Sequence, residues 1–216
     1  MYFSSDRVII PERYLTELWP VIANVPAAAS MEIGHWWELP YGERSVIDAI
    51  VRFVQPAVSY EFGTFSGSTT VLIANAAPGD AVVHTIDVPD DMVVDDYTHS
   101  GISAAMMGAY IRDRPATGAS IKFHRQLIED FDFEPLKGGV QFIFVDASHD
   151  YEDVKADSRR ALDMLSTDGI IVWDDYLAGM HPGVTRALDE LSQEVSLVRI
   201  ATTRLVVHAR GRFGVG

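Results

Sequence analysis

Apolar and polar positions fall into a regular alternation only beyond about residue 42. In GERSVIDAIVRFV (42–54), Val46, Ile47, Ile50, Val51 and Val54 share one helical face. The short apolar run VSYEF (58–62) reads as a strand, and 69–77 as a helix. AVVHTID (81–87), SIKFH (120–124), VQFIFVD (140–146) and GIIVWD (169–174) read as further strands. Between them, 88–118 reads as a loop with a helix near 103–112, and YEDVKADSRRALDMLS (151–166) as an amphipathic helix with Val154, Ala161, Leu162 and Leu165 inward. VTRALDEL (184–191) predicts a last helix, and SLVRI with TRLVVHA a closing hairpin. Strands alternating with helices imply right-handed crossovers and an α/β fold with a mostly parallel sheet. Two final strands with no helix between them imply an antiparallel member.

Residues 1–41 lack this regularity. Pro11, Pro20, Pro26 and Pro40 interrupt them, and a short helix is expected over 12–23. The segment carries Trp19, Trp36 and Trp37. It reads as an arm that serves as a lid or an oligomer contact, or that simply packs onto the domain formed by 42–216.

Composition narrows the function. In 216 residues, 17 Lys and Arg face 31 Asp and Glu, a net charge of −14. Phosphate backbones require clustered cations, so a nucleic-acid partner is not expected; a small-molecule enzyme is. The absence of cysteine excludes disulfides, thiolate metal sites and cysteine nucleophiles. No apolar run approaches the roughly 20 residues of a membrane span, and the first residues lack the basic-then-apolar layout of a signal peptide. The chain reads as soluble and cytoplasmic.

YEFGTFSGSTT (60–70) carries the first chemical signal. It joins a strand to a helix. Gly63 and Gly67 permit a tight turn and a close backbone approach, while Ser66, Ser68 and Thr69 offer hydroxyls and a cap. The spacing Glu-x-Gly-x-x-x-Gly is not the Gly-x-Gly-x-x-Gly that cradles a pyrophosphate. Asp87 ends the second of these strands, where an acid can accept ribose hydroxyls. Glu61, Gly63 and Gly67 resemble motif I of class I S-adenosylmethionine-dependent methyltransferases. That resemblance implies a seven-stranded Rossmann-like sheet in the order 3-2-1-4-5-7-6. It also implies S-adenosylmethionine held by Glu61, Gly63, Thr64, Phe65, Gly67, Ser68, Thr69, Asp87 and Asp146, with Gln126 near the adenine. A Gly-Asp-Ser-like turn, frequent in relatives after the third strand, is replaced here by Gln126-Leu127-Ile128.

The second signal lies in FIFVDASHDYEDVKAD (142–157) and GIIVWDDY (169–176). Neighbouring strands stand about 4.8 Å apart, so Asp146, Asp174 and Asp175 would converge at one sheet edge. Like charges that close call for a cation, and oxygen ligands without cysteine favour Mg²⁺. Ordinary roles stay open: Asp146 can touch the cofactor or hold a loop, Asp174 and Asp175 can cap a helix, and His149 can be a solvated loop residue. Asp150, Glu152 and Asp153 suit the acidic first turn of the next helix, and DVPDDMVVDDY (87–97) reads as a flap or a solvated loop. The pattern Asp-x-x-His-x-Tyr followed by Trp-Asp-Asp-Tyr resembles metal-dependent O-methyltransferases of the antibiotic-sugar and caffeoyl-CoA types. It implies Asp146, Asp174 and Asp175 as ligands of Mg²⁺ or another divalent cation, His149 as general base, and a small hydroxylated acceptor. The rival readings are a metal-independent methyltransferase, a dinucleotide oxidoreductase, disfavoured by the glycine spacing, and a non-catalytic binding protein. A homo-oligomer is expected through the arm.

Overall fold

The computed structural model describes residues 10–26, 38–89, 92, 104–113, 116–177 and 179–214. Eight strands form one sheet: β1 (Glu12–Arg13), β2 (Val58–Phe62), β3 (Val82–Asp87), β4 (Ser120–Arg125), β5 (Val140–Val145), β6 (Leu165–Trp173), β7 (Val198–Ile200) and β8 (Val206–Ala209). Their order is β1-β7-β8-β6-β5-β2-β3-β4. From β2 to β8 this is the expected seven-strand order, with β8 antiparallel to both β6 and β7. The eighth strand is unexpected. β1 comes from the arm and pairs parallel with β7, Glu12 opposite Arg199.

Helices cover both faces because the buried strands alternate with period two. Phe142, Phe144, Ile170 and Val172 meet α2 (Tyr41–Val54) and α3 (Ser68–Ala76), through Ile47, Ile50, Val51, Leu72 and Ile73. Ile143, Val145, Ile171 and Trp173 point the other way, toward α5 (Tyr151–Met164) and α6 (Pro182–Leu191), through Val154, Ala161, Val184 and Leu188. α1 (Leu15–Leu18) and α4 (Ala109–Asp113) are single turns.

Three boundaries differ from expectation. The helix expected over 12–23 is instead β1, α1 and a 3₁₀ turn at Pro20–Asn24, because pairing with β7 claims the first residues and Pro20 interrupts the rest. The helix expected near 103–112 shrinks to α4. α5 runs directly into β6, which pairs early, Leu165 with Val140, before a bulge resets the register to Ile170 with Phe142. Trp36, Trp37 and most of 87–97 lie outside the described residues. No helix among the described residues is long and apolar enough to cross a membrane.

The described arm is built into the core. Trp19 is 5% exposed, its ring centroid lies 5.8 Å from that of Phe53, and its Nε1 donates to the Phe213 carbonyl at 2.9 Å. Trp19→Ala would remove the ring and orphan that carbonyl. Chemical denaturation is expected to show a loss of about 3–5 kcal/mol; a loss below about 1 kcal/mol would mean the arm contributes little to the fold.

Candidate active site

The strand order reverses between β2 and β5, and a cleft of about 980 Å³ opens there beyond the carboxyl ends of the strands. One wall is the turn from β2 into α3. Gly63 has φ +88°, and a Cβ on it would stand 2.2 Å from the Asp146 carbonyl oxygen. The close approach it permits is therefore to the protein's own β5 end. Gly67, φ +81°, likewise faces Ile111 and caps α3 without a side-chain bond. Among the described residues Ser66 Oγ accepts the Ser68 N–H, at 3.4 Å, and Ser68 Oγ accepts from Arg44 Nη1 at 3.5 Å.

Asp87 first serves this turn. Its Oδ2 accepts the N–H groups of Thr64 (3.0 Å) and Phe65 (2.6 Å), and its Oδ1 that of Val88 (2.8 Å). A carboxylate offers about four acceptor sites, which leaves room for about one more donor rather than a pair of ribose hydroxyls. Burial holds its pKa above the usual range despite these bonds. Phe65 adopts φ +43°, uncommon outside glycine.

Of the residues expected around a cofactor, Gly63, Thr64, Phe65, Ser68, Thr69, Asp87, Gln126 and Asp146 line the cleft. Glu61 and Gly67 do not. Glu61 is fully buried beneath the turn, where its Oε2 accepts the hydroxyls of Thr70 and Thr85 (2.6 Å for Thr85). Thr85 Oγ1 also meets Thr64 Oγ1 at 2.6 Å, while Glu61 Oε1 has no partner among the described residues. Burial pushes the Glu61 carboxyl up to about 8. It is a buried hub that ties β2, β3 and α3 together.

The opposite wall carries the carboxylates. Backbone bonds place them just past the strand ends: Asp146 N–H to Phe62 O (2.9 Å) and Asp174 N–H to Val145 O (3.1 Å). One oxygen from each of Asp146, Asp174 and Asp175 falls within 4.8 Å of the others. Burial, then the neighbouring carboxylates, drive Asp146 well above its usual range and Asp174 up to about 7. Burial also opposes ionisation of Asp175, but its bond to His149 and the charge of Arg204 hold it below the usual range. The donor set is all oxygen, clustered and short of positive charge, and so fits a hard divalent cation.

Two residues at this wall were not anticipated. The antiparallel register sets Val206 opposite Trp173, so the hairpin brings Arg204 beside Asp175. Its guanidinium touches Glu43 Oε2 (2.9 Å), Asp175 Oδ1 (2.7 Å) and Asp174 Oδ2 (3.5 Å). An arginine between β-rich runs gives no sequence signal of this; only the pairing register does. The other is His181, whose ring stacks on His149 at 4.0 Å. His149 Nε2 lies 2.7 Å from Asp175 Oδ2. That bond is the main cause of a raised His149 pKa, whereas burial lowers that of His181. Asp150, Glu152 and Asp153 take the N-cap and first turn of α5, as expected.

A family model described as a methyltransferase domain matches residues 60–176. No curated protein matches the chain. Among solved structures it is similar to the O-methyltransferase TomG from Streptomyces achromogenes, involved in tomaymycin synthesis and solved with S-adenosylmethionine: 18% identity over 81% of this chain and 82% of that one, TM-score 0.55. It is also similar to the O-methyltransferase NovP, at 18% identity, 79% and 80% coverage and TM-score 0.58. A third is an O-methyltransferase from Bacillus cereus in complex with S-adenosylhomocysteine, at 17% identity, 89% and 88% coverage and TM-score 0.53. At these identities the likeness is one of fold.

The buried Glu61 predicts an unusual pH response. Its folded pKa, about 8, exceeds the ordinary 4.5, so the folded state binds the proton more tightly than the unfolded state. Its contribution is intact below the ordinary value and is lost as pH rises toward 8. In chelator, the melting temperature is expected to fall more steeply between pH 5 and 8 for the wild type than for Glu61→Gln. Parallel profiles would mean that Glu61 is ionised throughout.

Proposed function

We propose, from the premise that the chain belongs to the methyltransferase domain family, that it is an S-adenosylmethionine-dependent O-methyltransferase acting on a small hydroxylated acceptor with the help of a divalent cation. The observation that carries this reading is the meeting, in one cleft, of the turn after β2 with three converging carboxylates and a histidine held by one of them. The O-methyltransferase neighbours support the oxygen acceptor.

The donor would lie along the turn Gly63–Thr69, with Asp87 taking one ribose hydroxyl. Asp146, Asp174 and Asp175 would hold the cation, which when bound lowers the pKa of an acceptor hydroxyl. Asp175 accepts Nε2–H of His149, which leaves Nδ1 to take the acceptor proton. When bound, the donor would supply an electrophilic methyl carbon, with its sulfur as leaving group, to the oxygen so freed. Arg204 keeps Asp175 turned toward His149. We extend the proposal to a homo-oligomer formed through the arm, on which Tyr14 and Val21 are exposed.

One observation favours a second reading. Arg204 and His149 already engage both oxygens of Asp175, a dyad that can deprotonate an acceptor with no cation. Excess EDTA separates the two: turnover is expected to collapse and return with Mg²⁺, whereas undiminished turnover selects the metal-free dyad. Under either reading His149→Ala should cut turnover about 10²–10⁴-fold with the dissociation constant of S-adenosylmethionine unchanged by calorimetry. Wild-type turnover in that variant would remove His149 from the chemistry. Asp87→Ala should weaken donor binding by at least about 1.5–3 kcal/mol, through one lost charge-assisted bond and the loosened turn that Asp87 holds; an unchanged constant would take Asp87 off the ribose.

A further inference from the structure

Beside the oxygen cluster, the structure gathers a second and chemically different set of ligand atoms. His149 Nε2 lies 2.7 Å from Asp175 Oδ2, and His181 Nε2 lies 3.6 Å from Asp175 Oδ1. One ligand atom from each of the three residues falls within 4.8 Å of the others. The two imidazoles are stacked, with centroids 4.0 Å apart and planes 29° from parallel.

This juxtaposition is built by the backbone. His181 is the N-cap of α6, and its N–H is fixed to the Leu177 carbonyl at 2.8 Å. The first turn of α6 presses directly on the loop that carries His149: a Cβ on Gly183 would stand 2.2 Å from the His149 carbonyl oxygen and 2.8 Å from the Tyr151 nitrogen. Only glycine allows that approach. The two histidines are thus locked side by side from different elements, while His149 keeps one open side toward the cleft, its side chain 52% exposed.

Two imidazoles and one carboxylate are the donors of Zn²⁺ and its late first-row neighbours, not of Mg²⁺, which prefers oxygen throughout. Zn–N bonds are about 2.0–2.1 Å, so a small splay of the stacked rings brings both Nε2 atoms onto one ion. Arg204 stays on Oδ1, which leaves Oδ2 as the carboxylate ligand.

We propose that His149, His181 and Asp175 form a second divalent-ion site, selective for late first-row metals such as Zn²⁺, that shares Asp175 with the all-oxygen cluster. The ion enters between His149 and Asp175, replaces their hydrogen bond, and releases the bridging proton to solvent. Because Asp175 serves both sets, the nitrogen-rich site and the oxygen cluster exclude one another. On the function proposed above, Zn²⁺ is then an inhibitor that withdraws the base; the site itself rests on the ligand geometry alone.

Cobalt(II) reads the site without any methyl transfer. The whole chain, stripped with chelator, is titrated with Co²⁺, and the visible ligand-field absorption is followed; it is strong for nitrogen-rich low-coordinate sites and weak for octahedral oxygen sites. A strong band is expected, and excess Mg²⁺ should weaken it by competing for the shared Asp175. His181→Ala and His181→Gln should abolish it and weaken Zn²⁺ binding by more than about tenfold, with unchanged melting curves in chelator as the folding control. Asp146→Asn removes a ligand of the oxygen cluster but none of the bonds that hold Asp175, and should retain the band. The proposal is overturned by a wild type without the band, by a band that survives in both folded His181 variants, or by one that Asp146→Asn removes. A retained band with no methyltransferase activity would fail the functional reading and leave the metal site standing.

Discussion

The constraint on which the site depends is the crowding of negative charge at the ends of β5 and β6. Asp146, Asp174, Asp175 and Glu43 meet there, three of them within bonding reach of one ion. Buried carboxylates at this spacing cannot all ionise without compensation. Arg204 is the tethered compensation. A guanidinium presents several donors in a fixed plane, so one side chain can engage Glu43, Asp174 and Asp175 together where a lysine could not. It also joins α2 to the last strands, so the carboxylates are positioned by the elements that close the sheet.

Backbone geometry does the rest of the positioning. Asp175 sits at φ +62°, a conformation that costs on the order of 1 kcal/mol or more outside glycine. It is held by its own N–H on Asp174 Oδ1 (2.7 Å), by the Leu177 N–H on its carbonyl (2.7 Å), and by the ladder bond from Tyr176 N–H to Arg204 O (3.0 Å). The left-handed turn lifts the carboxylate off the strand axis toward His149. Gly63 acts in the same sense on the other wall: its missing side chain lets the turn after β2 lie against the Asp146 carbonyl, so that turn and the carboxylates share one rigid floor.

Much of this was legible in the sequence, and the limits have physical causes. The buried strands and the long helices announce themselves because period two and period 3.6 differ in VQFIFVD and GERSVIDAIVRFV. Asp87, Asp146, Asp174 and Asp175 were legible because strand-end acids follow directly from the strand runs. Arg204 and His181 were not: each reaches the site through a register or a helix packing that no local pattern encodes. Glu61 was legible as a motif residue but not as a buried hub, since its partners Thr70 and Thr85 sit on separate elements. β1 was hidden because two residues carry no period, and the close packing of Trp19 could not be told from exposure.

The same charge balance bears on the proposed chemistry. A sulfonium donor carries a positive charge that methyl transfer removes, so an uncompensated acidic cleft would hold the donor more tightly than the transition state and slow the reaction. Neutralising the carboxylates corrects this. Arg204 supplies part of that neutralisation permanently, burial that raises the Glu61 pKa disfavours a further charge beneath the turn after β2, and a cation at Asp146, Asp174 and Asp175 would supply the rest where the acceptor oxygen must develop its negative charge. The features that make the carboxylate cluster tolerable in the fold are therefore also those that keep it from working against methyl transfer. The charge that remains lies between Asp175 and His149, where the proposed chemistry would deliver the acceptor proton.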